Sequence, residues 1–275
     1  MDPQPTMDIV IAHYNEDLSW LEDDIDSCHI YSKGGEKNAP PYPHKAIANI
    51  GREGHTYLHH LIENYESLAD VTLFLQGHID DHIPFGIDEV KRRALETEPG
   101  QVTTFPFREL ETFDHWDGIP WEEYPSWKKW SSMVRVNAAK TPAEYWRIFF
   151  PGREIPASLG FAPGALFAVR RETIQQHSRD FYRLMMQEFF LGDMAHINPE
   201  TGHHAERFWL AIWNPSEYCC WDTVKDVSKE KRNAQGQLAK GRWHITPRGL
   251  EIDEGIPRPT PTQLATPPSS DDGSS

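Results

Sequence analysis

The chain has 275 residues, is 38% hydrophobic, and carries 42 acidic against 27 basic side chains, a formal net charge of −15. Its length and apolar content suffice for one large core or two small ones, so disorder is at most local, and the acid excess argues against a broad nucleic-acid-binding face. Three cysteines, Cys28 and the adjacent Cys219 and Cys220, make no disulfide framework; with no apolar stretch of membrane-spanning length and no signal-like segment in residues 1–6, the expectation is a cytoplasmic protein with reduced thiols and no membrane partner.

In chain order, Met7-Asp8-Ile9-Val10-Ile11-Ala12-His13-Tyr14 reads as a strand buried on both faces, ending in the polar cluster Asn15-Glu16-Asp17. Leu18-Ser19-Trp20-Leu21 starts a helix, with Trp20, Leu21 and Ile25 inward and acids in its first turns. His29-Ile30-Tyr31-Ser32 is a short strand that places Lys33 at its end before the Gly34-Gly35 turn, and residues 36–50 read as a loop. Gly51-Arg52-Glu53-Gly54-His55 opens a helix whose Tyr57, Leu58, Leu61, Ile62, Tyr65 and Leu68 recur at helical spacing, with His59, Glu63 and Glu66 toward water. Its glycines either cap the helix or let backbone N–H groups and Arg52 approach an anion. His55 and His59 have the spacing of helical metal ligands, but no Glu follows His55, and no metal site is assigned to them.

Val71-Thr72-Leu73-Phe74-Leu75 is the central strand, ending in Gln76-Gly77-His78-Ile79-Asp80-Asp81-His82. Residues 86–96 form a short helix, and 102–107 a strand or edge segment. An insertion at about 108–135 carries Trp116, Trp121, Trp127 and Trp130, which cover a core more commonly than they line a pocket for a flat group. Thr141-Pro142-Ala143-Glu144 caps a helix through Tyr145, Trp146, Ile148 and Phe149. The strand Ala165-Leu166-Phe167-Ala168-Val169 follows a glycine-rich approach and ends in Arg170-Arg171-Glu172. A helix over 173–191 precedes a turn at 198–202 and a last helix from His203 to Trp213, which buries Phe208, Trp209, Ile212 and Trp213 and carries Glu206 and Arg207 near its start. Residues 225–248 hold a local basic patch, Lys225, Lys229, Lys231, Arg232, Lys240, Arg242 and Arg248, of the kind that is usually a solvated loop. The domain is read as 7–255, and the Pro/Ser/Thr-rich tail 256–275 as disordered.

These elements predict the α/β class, with a single, mostly parallel twisted sheet flanked by helices. In such a sheet the polar strand ends Asn15-Glu16-Asp17, Lys33, Gln76 with Asp80-Asp81-His82, and Arg170-Arg171-Glu172 converge on one rim, where open α/β sheets bind ligands. The candidates for catalysis are Glu206, Asp81, Glu16 and Asn15. Those for holding substrate are Lys33, Arg52, Glu53, Tyr57, Gln76, Asp80, His82, Arg170, Arg171 and Arg207. Glu206, Glu16 or Asp81 would serve as base or hold a guanidinium; Arg52, Arg170 and Arg207 would clamp an anion. The carboxylates with a histidine suit a divalent cation, Mg or Mn, though no cofactor is required by the pattern. Asp80-Asp81 resembles the acidic motif of metal-dependent nucleotide-sugar glycosyltransferases.

Ile-Val-Ile-Ala-His-Tyr-Asn-Glu-Asp-Leu-Ser-Trp-Leu (9–21), Ile-Tyr-Ser-Lys-Gly (30–34), Asn-Ile-Gly-Arg-Glu-Gly-His-Thr-Tyr-Leu-His-His (49–60), Phe-Leu-Gln-Gly…Asp-His (74–82), Phe-Ala-Val-Arg-Arg-Glu (167–172) and Glu-Arg-Phe-Trp (206–209) together resemble the fungal arginine-containing cyclodipeptide synthases. The resemblance spans about residues 8–215 and is most specific at Gly-Arg-Glu-Gly-His-Thr-Tyr. It implies arginyl-tRNA and a second aminoacyl-tRNA as substrates, a cyclic dipeptide as product, a glycosyltransferase-A-like, Rossmann-like domain, and tRNA contact through the 225–248 patch. Two other readings stay open: metal-dependent glycosyl transfer with Asp80 or Asp81 on the metal, and a non-enzymatic binding module.

Overall fold

The computed structural model describes residues 5–80, 82–83, 85–105, 109–111, 118–119, 133–136, 138–156, 158–220, 242–246 and 249–253. The chain opens with β1 (Met7–His13), a 3-10 segment at Ser19–Ser27, β2 (Cys28–Ser32) and the two-residue β3 (Lys45–Ala46). Then come α1 (Arg52–Glu63), β4 (Val71–Gln76), α2 (Ile87–Leu95), β5 (Val102–Thr104), β6 (Glu109–Glu111), α3 (Pro142–Phe149), β7 (Ser158–Phe161) and β8 (Phe167–Arg170). The short α4 (Arg171–Ile174), α5 (Arg179–Gln187), α6 (Glu200–Trp213), α7 (Pro215–Tyr218) and β9 (Cys219–Cys220) follow, and β10 (Arg242–Thr246) pairs with β11 (Gly249–Asp253) as an antiparallel hairpin.

Six strands form one mixed sheet in the order β3-β2-β1-β4-β8-β5. The apolar runs are strands because both faces are covered. Ile9, Ile11, Leu73 and Leu75 pack with Leu21, Val90 and Ala94 on one side. The alternate residues Val10, Phe74 and Phe167 pack with Tyr57, Trp209 and Trp213 on the other. Period-two alternation with both sides apolar is what a sheet covered by helices requires, and each such side chain contributes about 1.5–3 kcal/mol by leaving water.

β3, β2, β1 and β4 run parallel. From β1 the chain builds outward to β2 and β3, then crosses back to place β4 on the other side of β1. Strand order therefore reverses between β1 and β4, and in open α/β sheets the crevice beyond the carboxyl ends at such a point is where ligands bind.

β8 is antiparallel to both β4 and β5. This corrects one expectation. Arg170 pairs with Val71 at the opposite end of β4, so the Arg170-Arg171-Glu172 cluster lies away from the rim that holds Gln76. Arg170 Nε donates to Thr97 O at 2.6 Å, and Arg171 to Asp70 Oδ1 at 2.7 Å and Leu68 O at 3.0 Å. The chain enters β8 through left-handed residues at Gly164 (φ 75°) and Ala165 (φ 54°); apolar periodicity carries no strand direction.

Four helix boundaries also differ. α1 ends at Glu63, so Tyr65 and Leu68 lie beyond it. Ser19–Ser27 is 3-10 rather than α. The segment expected over 173–191 is broken, because the Ser178 hydroxyl caps a new helix by accepting from Phe181 N at 3.3 Å. α6 starts at Glu200, before the expected His203, and Gly202 lies inside it. A Cβ there would stand 3.7–3.8 Å from Gly51 O and Phe189, an ordinary van der Waals distance. Thr141 and Glu144 form the expected reciprocal cap of α3. The Trp116, Trp121, Trp127 and Trp130 expectation lies outside the described residues, as do the tail and most of the basic patch. Among the described residues no helix is long and apolar enough to cross a membrane.

Candidate functional site

Beyond the carboxyl ends of β1, β2 and β4 lies a cleft of about 420 Å3, lined by Ala12, His13, Tyr14, Glu16, Lys33, Asn49, Arg52, Glu53, Gln76, Ile197 and Asn198. It occupies the point of strand-order reversal.

β1 delivers Glu16. Its Oε2 accepts the backbone N–H groups of Tyr14 at 2.6 Å and Asn15 at 3.1 Å. The carboxylate lies over Gly77, where a Cβ would stand 2.7 Å from Oε2. Among the described residues Glu16 pairs with no Lys or Arg; His13 Nε2 lies 4.0 Å from its Oε2. His13 is buried between the Ser32 hydroxyl (3.1 Å) and Glu16 O (3.2 Å). Burial lowers its pKa and keeps it neutral, against the pull of Glu16.

Lys33 follows β2 and points inward. Its ammonium donates to Ile50 O at 2.6 Å and to Arg52 O. Burial pulls its pKa down to about 7, against the opposing charge of Glu53. The carbonyls it holds belong to a left-handed turn, Gly51 at φ 66° and Arg52 at φ 50°. Such a conformation costs a non-glycine residue about 1 kcal/mol or more and persists where surroundings enforce it. A Cβ on Gly51 would meet Phe189 Cδ1 at 2.5 Å. The turn aims Arg52 into the cleft, with Nε 3.4 Å from Glu53 Oε2. Burial raises the pKa of Glu53; Arg52 opposes the shift and Glu206 adds to it. Tyr57, one turn along α1, is fully buried, and its hydroxyl has no hydrogen-bond partner among the described residues.

α6 supplies the other wall. Every residue of this helix is buried except His203 and Glu206, which share one face at i and i+3. Glu206 Oε1 accepts Gly164 N at 2.6 Å, while Gly164 O accepts Gln76 Nε2 at 2.8 Å. His203 Nε2 lies 3.1 Å from Asn198 Oδ1 and 3.5 Å from Arg52 Nη1, and its Nδ1 lies 4.0 Å from Glu206 Oε2. Burial, then the charges of Arg52 and Arg207, hold His203 well below the ordinary histidine pKa.

Of the candidates named from sequence, Glu16, Lys33, Arg52, Glu53 and Gln76 line the cleft. Glu206 joins them through Gly164 and through its electrostatic effect on Arg52 and Glu53. Tyr57 lies beneath, within the field of both carboxyls. Asn15 is exposed and gives Glu16 its backbone amide. Asp80 is exposed, and His82 packs against Gly164, where a Cβ would meet its ring at 2.8 Å. Asp81 lies outside the described residues. Arg207 is not an open anion clamp: it is 8% exposed, donates to His203 O at 2.9 Å and lies over the Phe161 ring. Arg170 and Arg171 are at the far end of the sheet. Among the described residues no group of three His, Cys, Asp or Glu side chains is placed to hold a metal ion.

Sequence reasoning missed His13, Asn49, Asn198 and His203. The two asparagines sit in loops and give no signal. His13 was absorbed into its strand run. His203 had one available signal, a polar residue three before Glu206 on an otherwise apolar helix.

A model of the family described as "Protein of unknown function (DUF3431)" matches residues 9–228. No curated protein and no solved structure matches the chain.

Proposed function

The chain belongs to the DUF3431 family across residues 9–228, and from that premise we propose that it is an aminoacyltransferase. In this reading it joins the arginyl group of arginyl-tRNA to a second aminoacyl group and releases a cyclic dipeptide. The α-amine of one aminoacyl ester attacks the carbonyl carbon of the other, a C–N bond forms and the C–O bond to the tRNA ribose breaks. A second attack closes the diketopiperazine. Such a reaction needs a positioned ester, a neutral amine and a proton acceptor.

The observation that carries the reading is Glu16. A carboxylate seated in advance on two backbone N–H groups faces a cleft and has no Lys or Arg partner among the described residues. A guanidinium suits it, because the planar fork binds a carboxylate through two parallel hydrogen bonds. The likeness to arginine-containing cyclodipeptide synthases at residues 9–21, 49–60 and 206–209 points the same way. Arg52 adds positive charge to the same cleft, suited to the phosphodiester of a tRNA end. We read the fold as glycosyltransferase-A-like, assign further tRNA contact to the 225–248 patch, and place the reaction in the cytoplasm, where charged tRNA is found.

The test is to incubate purified protein with arginyl-tRNA and a mixture of other charged tRNAs. Mass spectrometry is expected to show a cyclo-arginine-Xaa product that disappears when RNase is added first. No product, or a product indifferent to RNase, overturns the reading.

The position of the cleft favours one alternative, since strand-order reversals in open α/β sheets are sites for nucleotides. A glycosyl transfer from a nucleotide sugar would use Asp80 or Asp81 to hold Mg or Mn. Mn2+ with a nucleoside diphosphate would then raise the melting temperature by linkage; an unchanged melting temperature removes this alternative.

A further inference from the structure

Lys33 is only 9% exposed. Burying an ammonium is unfavourable unless its protons find acceptors. Here they find the main chain, at Ile50 O (2.6 Å) and at Arg52 O. These two carbonyls flank Gly51, so one cation closes the turn from both sides. The base of the side chain is anchored in turn, since Lys33 N donates to His13 O at 2.9 Å. Gly51 N is tied to His196 O at 2.8 Å. The backbone held this way is one that Arg52, which has a Cβ, adopts only at a cost, with φ 50°. Hydrogen bonds from a charged donor are roughly twice as strong as neutral ones, and two of them converge here. What the turn places in the cleft is the Arg52 guanidinium, with Nε 3.4 Å from Glu53 Oε2 and Nη1 3.5 Å from His203 Nε2.

We propose that Lys33 is the positioning residue of the cleft: its ammonium holds the turn at Gly51 and Arg52 closed, the turn presents Arg52 to an anionic group of the substrate, and the affinity for that anion follows the charge on Lys33. The proposal rests on reading the cleft as the seat of a tRNA end, whose phosphodiester is the anion. No covalent bond is made or broken at Lys33, and it acts through Arg52 rather than on the anion. When the ammonium loses its proton the amine still donates, but without the charge that strengthens the bonds. The clamp then loosens, and the left-handed backbone of Arg52 is less firmly enforced.

The sense of the pH dependence follows from burial, which draws the Lys33 pKa down to about 7 against the charge of Glu53. The ammonium is present below that pH and is lost as pH rises through it, so the anion is bound more tightly on the acid side. The other titratable groups facing Lys33 and Arg52 come from three elements. From β1, His13 is held neutral by burial. From α1, His55 and His59 have their pKa lowered, chiefly by burial, with Lys33 a further charge on each. Glu53, also on α1, has its pKa raised by burial; protonating it frees Arg52 from its partner and acts in the same direction as Lys33. From α6, Glu206 acts on Arg52, and His203 stays far below the ordinary histidine range. Lys33→Arg separates Lys33 from Glu53, because a guanidinium keeps its charge across the whole range.

The experiment titrates the purified protein with the dinucleotide cytidylyl-adenosine, whose one phosphodiester keeps its charge from about pH 6 to about pH 8, and reads affinity by calorimetry. The unaltered protein is expected to lose about fivefold in affinity across that range as its clamp passes from charged to neutral bonds. Lys33→Met is expected to bind about tenfold more weakly at the acid end and to show little slope. Lys33→Arg is expected to stay within about threefold of the unaltered protein's acid-side affinity at every pH. In an Arg52→Gln background, Lys33→Met is expected to add no further loss, because the two residues act as one unit. A Lys33→Met or Lys33→Arg protein that keeps the full slope overturns the proposal, as does an additive loss in the double variant, which would make Lys33 a direct contact of the anion. If Lys33→Arg does not fold, the Lys33→Met slope and the double variant decide; if Lys33→Met does not fold, Lys33→Gln replaces it with the same outcomes. A dinucleotide that does not bind the unaltered protein removes Arg52 as the anion seat and this proposal with it, while product formation from arginyl-tRNA tests the aminoacyl reading separately.

Discussion

Gly77 determines where Glu16 stands. The carboxylate occupies the volume that a side chain at 77 would fill, with a virtual Cβ 2.7 Å from Oε2 and 3.0 Å from the Glu16 Cβ. Gly77→Ala is therefore expected to lift Glu16 from its two amide donors without opening the core. Binding of arginyl-tRNA is expected to weaken roughly tenfold, the loss of about one charge-assisted hydrogen bond, while the melting temperature moves little. Filter binding beside a thermal melt checks this; unchanged affinity would detach Glu16 from substrate. At this scale the sequence was informative wherever a polar residue ended an apolar run, as at Glu16, Lys33 and Gln76. It misled at Arg170 and Arg171, which end a run equally well but on a reversed strand. It gave nothing for Asn198, whose value comes only from the fold bringing it to His203.

Elements were legible in proportion to their local chemistry. Thr141 and Glu144 announced α3, and the reciprocal cap is present, with Thr141 N donating to Glu144 Oε2 at 2.8 Å and Glu144 N to Thr141 Oγ1 at 3.3 Å. Thr141→Ala is expected to destabilise the protein by about 1 kcal/mol, read as a lower urea midpoint at unchanged slope. The two-sided burial of β1 and β4 followed from their apolar runs, and a mostly parallel sheet from the helices between them. The direction of β8 did not: the chain enters it through left-handed residues at Gly164 and Ala165, and a glycine near a strand start is equally consistent with several turns. The break before α5 was also hidden, since Ser178 acts as a cap only once the preceding chain is out of helical conformation.

At the scale of the whole molecule, several histidines are buried in neutral form. His55, His60 and His204 have their pKa pulled down to about 3, chiefly by burial. In the unfolded chain each takes a proton near pH 6.5. Below that pH the unfolded state binds more protons than the folded one, so the stability present above pH 6.5 is lost as pH falls toward 3. At pH 5 each histidine costs about 2 kcal/mol relative to pH 7. Glu53, with its pKa raised, acts in the opposite direction and offsets part of this. Urea unfolding is expected to shift to a markedly lower midpoint between pH 7 and pH 5; a midpoint that holds steady would mean these rings find protons or partners inside the fold.

Gly164 belongs to no catalytic list, yet its backbone touches both sides of the crevice, its N–H on Glu206 and its C=O on Gln76. A residue without a side chain thus acts as a strap between helix and strand. Tension applied at one anchor is passed to the other, so the two walls keep a fixed separation, and replacing either anchor displaces its opposite number through the main chain.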